Sequence, residues 1–146
     1  MFTRTLALAT FALGLLTLAG CSSAPKLEKV GVRIKSIAPS EKGTEITLLF
    51  VNPNNVPLVV ASAEHTLSLD GTLMGVIKTK KALGIPPLGT VVEVSALTGP
   101  AAEKVTRFAA AHPGSTLYNL KSTLRLNWDD DLFDYKTVDE GRVTLP

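Results

Sequence analysis

Cysteine is nearly absent from this chain, since Cys21 is the only one among 146 residues. No disulfide bond can form within the chain, so packing must hold the fold together even in an oxidising compartment. An excess of charge of one sign is also lacking, because the formal net charge is only +2. Such a balance gives no electrostatic reason to expect nucleic-acid binding. The length suits one domain with one core, and we expect a monomer.

Histidine is scarce too, with only His65 and His112 in the sequence. A zinc site needs three or four convergent His, Cys or carboxylate ligands, and the sequence shows no such cluster at helical or hairpin spacing. The chain also lacks a Gly-x-Ser-x-Gly elbow, a phosphate loop and a dinucleotide fingerprint. A catalytic triad can still assemble in space, but no sequence motif favours one. We therefore expect a protein without catalytic residues or cofactors.

Long hydrophobic runs are missing as well. The apolar run near the N-terminus, residues 6–18, is shorter than the ~20 apolar residues that a membrane-spanning helix needs. A single basic residue, Arg4, precedes this run, and small residues follow it. This order is typical of a cleaved signal peptide, which we assign to residues 1–20.

The end of that run, Leu18-Ala19-Gly20-Cys21, resembles a bacterial lipobox. The resemblance implies cleavage between Gly20 and Cys21 and lipid on Cys21, and several acyl chains would form an almost permanent anchor. Ser22 rather than Asp follows the cysteine, which by resemblance to lipoprotein sorting implies the outer membrane of a Gram-negative envelope. The sequence does not specify the face of that membrane, and we expect the periplasmic one. Residues 21–29 would then be a lipidated tether. The alternative is an unmodified thiol after an ordinary secretory signal.

The segment 44–57 has the clearest local pattern. Ile46, Leu48 and Phe50 alternate with the residues between them, as in a strand with one face in a core. Pro53 ends this strand because it has no backbone N–H to donate, and it favours an extended Asn52. Asn54 tolerates left-handed backbone and can close an Asx turn. The sequence predicts a strand, a rigid corner and a second strand.

The run Phe50-x-Asn52-Pro53-Asn54, followed by Val-Pro-Leu, resembles the LEA14-type family (late embryogenesis abundant group 2), whose members contain a water-stress and hypersensitive-response (WHy) domain. Residues 67–75 and 85–94 fit the pattern of the same family. The resemblance implies an immunoglobulin- or fibronectin III-like β-sandwich with one helix, no catalytic centre and a role in stress protection.

The rest of the chain agrees with a mainly β domain over residues 30–146. Alternating or β-rich segments predict strands at 30–35, 44–51, 56–61, 65–70, 72–77, 90–96, 117–128, 132–136 and 141–145. Residues 100–112 instead predict an amphipathic helix that packs Phe108 against one open end of the sandwich. Phe50 and Trp128 are expected to fill the core.

Two features are candidates for binding. Asp129, Asp130, Asp131 and Asp134 form the densest charge run, which is either a solvated acidic turn or a weak cation site. The apolar segment 56–60 is either an exposed tip or a strand buried on both faces. An unpaired edge strand could add a strand from a partner. The prolines at 53, 57, 86 and 87 can instead blunt such edges.

Three functional hypotheses follow. The first is a non-enzymatic, lipid-anchored LEA14-like envelope lipoprotein that protects proteins or membranes under desiccation, osmotic or freezing stress through weak contacts with client proteins. The second is a specific protein-binding module in envelope assembly or trafficking. The third is an enzyme or metal protein, which the sequence supports least.

Overall fold

The computed structural model describes residues 26–146. The signal peptide, its cleavage site at Gly20 and the lipidation of Cys21 lie outside the described residues. In chain order the elements are β1 (Gly31–Ser40), β2 (Gly43–Val51), β3 (Leu58–Leu69), β4 (Thr72–Thr79), β5 (Leu83–Ile85), β6 (Thr90–Leu97), α1 (Gly99–Ala111), β7 (Gly114–Trp128) and β8 (Asp131–Leu145).

The strands form two antiparallel sheets. Sheet A has the order β1-β2-β6, and sheet B has the order β4-β3-β7-β8 with β5 paired to the start of β3. Aliphatic side chains from both sheets are buried in one shared cluster. The predicted β-sandwich with one short helix is therefore confirmed.

Three hairpins connect neighbours in sequence, as the turn residues predict. The β3–β4 turn has Asp70 and Gly71 in the left-handed region, at φ 43° and 77°, and the β7–β8 turn has Asp129 and Asp130 there, at φ 51° and 66°. Positive φ at both central residues is the requirement of two-residue hairpins in twisted sheets. The β1–β2 hairpin closes at Gly43.

The prediction that Phe50 fills the core is confirmed, because Phe50 is fully buried. The same prediction for Trp128 is wrong in part. Trp128 is only partly buried and packs against the margin of the core. It is the last residue of β7, so it lies where the sandwich opens to solvent. The segment 56–60 is buried on alternate residues, with Leu58 and Val60 inside and Val59 39% exposed, so it is neither an exposed tip nor a strand buried on both faces.

Two predicted strand pairs are single long strands. A register shift between Val60 and Ser62 interrupts the alternation of side chains in β3, so the sequence pattern resembles two strands although the backbone continues. β8 continues through residues 137–140, which are mostly polar because this strand lies at the edge of sheet B. β5 was not predicted, and its three residues are too few for a periodic signal.

Helix α1 covers one end of the sandwich. It buries Ala102, Val105 and Ala109, while Phe108 lies at the margin of this stripe, partly buried, and stacks on His112 with ring centroids 4.4 Å apart. The predicted cap is therefore confirmed, but small side chains make most of the contact. No helix between residues 26 and 146 is long and apolar enough to cross a membrane.

Candidate functional site

The Asn-Pro-Asn corner is held together by one buried amide. Asn52 is 1% exposed. Its Nδ2 donates to the carbonyl oxygens of Val56 at 2.8 Å and Pro86 at 3.1 Å, and its Oδ1 accepts from the backbone N–H of Asn54 at 3.0 Å. Its own N–H donates to the carbonyl of Gly89 at 2.9 Å. Asn52 therefore joins the end of β2, the start of β3 and the β5–β6 loop.

The second asparagine of the motif fixes the entry of the tether. The side chain of Asn54 accepts from the N–H of Glu28 at 2.6 Å and donates to the carbonyl of Glu28 at 3.1 Å. This paired contact imitates a short piece of β-ladder. Its backbone carbonyl accepts from the N–H of Leu88 at 2.8 Å. The chain turns at this motif as expected, but Asn52 closes the Asx turn, and neither Asn54 nor Asn55 has a left-handed backbone. Glu28 and the 85–89 loop lie far away in sequence, so no local signal identified them as partners.

The outer face of sheet A has an apolar stripe. Val92 and Val94 in β6 are 47% and 58% exposed. The register places Val92 beside Leu49 and Val94 beside Thr47 of β2, and Leu49 is half-buried on the same outer face. In a two-layer sandwich, the strand residues that face solvent are usually polar. This stripe is therefore a candidate interaction surface.

The inner face of β6 carries a carboxyl group at the seam between the sheets. Glu93 Oε2 accepts from Thr79 Oγ1 at 3.0 Å, which links sheet A to β4. Burial raises the pKa of Glu93, while the Thr79 hydroxyl and the charge of Lys81 oppose that rise. The carboxyl is thus tied to the seam by a hydrogen bond and does not extend freely into solvent.

A buried histidine lies between the two sheets. His65 is completely buried, its Nδ1 shares a hydrogen bond with Ser122 Oγ at 2.8 Å, and its ring meets Phe50 edge-on at 5.8 Å. Burial lowers the pKa of His65 from 6.5 to about 4, so the ring is neutral at pH 7. Nε2 has no hydrogen-bond partner within residues 26–146.

The other seam is closed by a tyrosine. Tyr118 Oη donates to Asp139 Oδ2 at 2.5 Å, and Asp139 lies 3.7 Å from Arg33 Nε of β1. Burial and the neighbouring Asp139 raise the pKa of Tyr118 to about 12. The hydroxyl therefore stays protonated and holds β8 beside β1, which is a structural role.

The acidic run is a turn. Asp129 and Asp130 occupy the two left-handed positions of the β7–β8 hairpin, and Asp134 pairs with Arg125 at 3.3 Å across the sheet. In the described part of the chain no three His, Cys, Asp or Glu side chains gather where they could hold a metal ion. These aspartates therefore have local partners or face solvent.

A small apolar cavity of about 210 Å³ lies between α1 and the β1–β2 hairpin, lined by Ile37, Val105, Ala109 and Pro146 among others. It is smaller than the 300–1,000 Å³ of typical small-molecule sites, and its lining offers few polar groups. A shallower depression on the outer face of sheet B is more polar, with Thr66, Asn119 and Lys121 in its lining.

Comparison with known proteins finds solved structures with a similar fold. No protein-family model and no curated protein matches the chain. A protein of Arabidopsis thaliana, AT1g01470, whose structure was solved in solution, matches with a TM-score of 0.53 and 13% identity over 84% of this chain and 88% of that one.

Two further solved structures match at lower TM-scores. A protein of Archaeoglobus fulgidus gives 0.49 with 19% identity, over 82% of this chain and 97% of that chain. The neighbour At2g46140.1, described as a "putative late embryogenesis abundant (LEA) protein", gives 0.45 with 11% identity, over 81% of this chain and 72% of that chain. At these identities the comparison establishes the fold: the chain shares the two-sheet architecture of the AT1g01470 protein.

Proposed function

We propose that this protein is a non-enzymatic, LEA14-like lipoprotein of the bacterial envelope that protects client proteins or membranes under desiccation, osmotic or freezing stress. Cys21 carries the lipid anchor in the outer membrane of a Gram-negative cell, and the sandwich is a monomer on its periplasmic face. Contacts with clients are weak and individually non-specific. A packed domain acts here, because the periodic apolar pattern differs from that of a disordered shield.

The observation that carries the proposal is the role of the motif shared with the LEA14-type family. Asn52 and Asn54 make the buried hydrogen bonds that lock the corner, so the residues behind the resemblance are also the ones that this fold requires. The fold shared with AT1g01470 agrees with the β-sandwich that the resemblance implies. The buried ionisable groups, His65 and Tyr118, are each engaged in packing, which favours a binding or protective role over chemistry.

The direct test is protection of a labile enzyme during drying or freeze–thaw. The domain is produced from residue 21 with Cys21→Ser, so that it contains the whole described sandwich without the lipid. An equal mass of an unrelated β-sandwich is the control. Retained activity well above the control is expected, because specific surface properties and not bulk protein are proposed to act. Retention equal to the control would contradict the proposed function.

A second candidate function is a specific binding module for one partner in envelope assembly or trafficking. The unpaired edge of β6 favours it, because an exposed strand edge can pair with an extended segment of another protein. Crosslinking in intact cells separates the two candidates. One saturable partner favours the module, whereas many weak partners favour general protection.

A further inference from the structure

Four edge strands of the sandwich, β1, β4, β6 and β8, differ in how they are protected against pairing with other chains, and the fifth, β5, has only three residues. In β1 the pairing register shifts between Ile34 and Ser36, and Arg33 and Lys35 face outward. In β8 the outward positions are mostly charged, as in Lys136. Bulges and charges of this kind are the usual means of blunting a sheet edge.

β4 is protected in another way. Its pairing with β3 shifts register between Leu67 and Ser68, and α1 covers its middle. The contact is so close that a Cβ placed on Gly75 would lie 2.7 Å from the Cβ of Ala101. Gly75 lies opposite the buried Leu67, so the helix packs against the inner face of this strand, next to its register shift.

β6 lacks a register shift, a covering helix and outward charges, and the only charge it carries is the inward Glu93. It pairs with β2 over eight consecutive residues without a register shift, and within the described residues it pairs with no other strand. It contains no proline, and its outward side chains, from Thr90 through Val92 and Val94 to Ala96, are uncharged. The side of this strand away from β2 therefore has no ladder partner among residues 26–146, although β4 lies near it through the Thr79–Glu93 bond, and two exposed valines lie on its outer face.

The chemistry of this edge specifies its partner. Unpaired ladder groups are satisfied best by another extended backbone, and alternate side chains of that strand would lie next to Val92 and Val94. Neither valine can pair with a charge, so the edge selects uncharged, β-branched or aromatic segments by composition rather than by sequence. Segments of this kind are exposed when a protein partly unfolds.

A second copy of this chain fits the edge less well. Suppose that two β6 strands pair antiparallel with their inner faces on the same side and with the symmetry axis at residue 92, 93 or 94. The two Glu93 carboxylates then lie directly opposite each other or within about 8 Å of each other. Each carboxylate is tied to Thr79 at the seam and cannot rotate away without losing that bond. A foreign strand without an acidic residue at this position avoids the repulsion.

We propose that the edge of β6 is the client-docking site, at which an extended, uncharged segment of a partly unfolded protein adds antiparallel to sheet A. The proposal rests on the protective function proposed above and gives it a location. Capture at this edge shields the segment that would otherwise pair with another unfolded chain, and the weak energy of one strand pair lets the client leave and refold.

The test compares lysine substitutions at two matched valines. Val94 on β6 is 58% exposed and Val138 on β8 is 57% exposed, so V94K and V138K add the same charge at equally exposed strand positions. The probe is the insulin B chain, released by dithiothreitol from intact insulin and followed by light scattering. The Cys21→Ser domain has no cysteine and is not itself affected by the reductant.

Wild type and V138K are expected to slow the aggregation of the B chain equally. About fivefold more V94K is needed for the same delay, because the lysine replaces the apolar side-chain pairs that Val94 would make with the docked strand. V92K, at the neighbouring exposed valine, is expected to behave like V94K. Amide hydrogen exchange should slow in β6 and not in β8 when the B chain is in excess.

Several outcomes would overturn the proposal. Equal suppression by V94K, V92K and V138K would exclude the β6 edge, and the protective function would still stand if the drying experiment succeeds. A wild-type dimer in sedimentation that V94K dissociates would make a second copy the occupant. No suppression by wild type, together with no protection on drying, would reject both the docking site and the proposed function.

Discussion

A single amide side chain, that of Asn52, joins three segments that are distant in sequence. The amide itself is buried, its contact with the N–H of Asn54 is buried, and its contacts with the carbonyls of Val56 and Pro86 are partly buried. An unsatisfied buried polar group costs about 1–3 kcal/mol. Removal of this side chain should therefore cost far more than the loss of its volume suggests.

Asn52→Ala is expected to lower the free energy of unfolding by about 2 kcal/mol, since it removes the side-chain donor to the carbonyl of Val56 and the acceptor for the N–H of Asn54, while the carbonyl of Pro86 keeps the N–H of Gly89. Urea denaturation followed by circular dichroism measures the change. Asn55→Ala, three residues later at an exposed position, is the matched control and should change stability by no more than about 0.5 kcal/mol. Similar losses for both variants would contradict the role of Asn52.

His65 makes the stability of the fold depend on pH. Because burial lowers its pKa from 6.5 to about 4, the unfolded chain binds more protons than the folded one between these values, and stability falls as the pH falls from about 6.5 to about 4. The full loss from this one group is about 3 kcal/mol. Above pH 6.5 the ring is neutral in both states and contributes no pH dependence.

The contribution is isolated by comparing unfolding at pH 7 and pH 4.5 in three proteins. The double variant His65→Leu/Ser122→Ala, which also removes the hydroxyl that would lose its partner, should lose less stability on acidification than wild type. Asn55→Ala, at an exposed amide that does not titrate, should lose as much as wild type. An unchanged loss in the double variant would show that carboxylates alone cause the acid sensitivity.

The sequence predicts the elements that depend on neighbouring residues, such as turns and the helix. It does not predict which strands pair when the two strands are far apart in the chain. The hairpins at Asp70-Gly71 and Asp129-Asp130 follow from turn chemistry, and the helix follows from its spacing of small apolar residues. The pairs β2–β6 and β3–β7 join strands separated by some forty or more residues, and no turn connects them. Their register depends on the packed core, which a sequence pattern does not specify.

The same reason explains what was missed at the candidate site. The alternation in residues 90–96 was recognised, but it does not say which face of β6 is buried. The structure turns Glu93 and Ser95 inward and leaves Val92 and Val94 in solvent, the reverse of what hydrophobicity alone predicts.

The contact between α1 and β4 gives a prediction at the scale of elements. Gly75→Ala is expected to destabilise the fold by about 1–3 kcal/mol, because the new Cβ would lie 2.7 Å from the Cβ of Ala101. Ala101→Gly removes the obstructing atom and should cost about 1 kcal/mol through helix propensity alone. The double variant should lose less stability than the two single variants lose together. Thermal unfolding of the wild type, the two single variants and the double variant would measure these losses.

Gly84→Ala is the control for the change of residue type, since a Cβ at Gly84 meets no atom within 4 Å. It should change stability little. If Gly75→Ala and Ala101→Gly were simply additive, the helix would not be packed against β4 as closely as described, and the protection of that edge would need another explanation.

At the scale of the whole molecule, the two sheets share one core and are tied at both seams. Tyr118 and Asp139 of sheet B meet Arg33 of sheet A on one side, and Thr79 meets Glu93 on the other. Neither sheet can keep its buried face without the other. A molecule built in this way has no part that can unfold alone without exposing the core of the rest.

We therefore expect one cooperative transition between residues 26 and 146, although the two ends of the sandwich differ in structure. Trp128, the only tryptophan, lies at the end near the Asn-Pro-Asn corner, whereas α1 covers the opposite end. In urea, tryptophan fluorescence and far-ultraviolet circular dichroism should give the same midpoint, with a slope of about 1–2 kcal/mol per molar. If fluorescence changed first, the corner would open as a separate unit, and Asn52 would stabilise only that end instead of the whole fold.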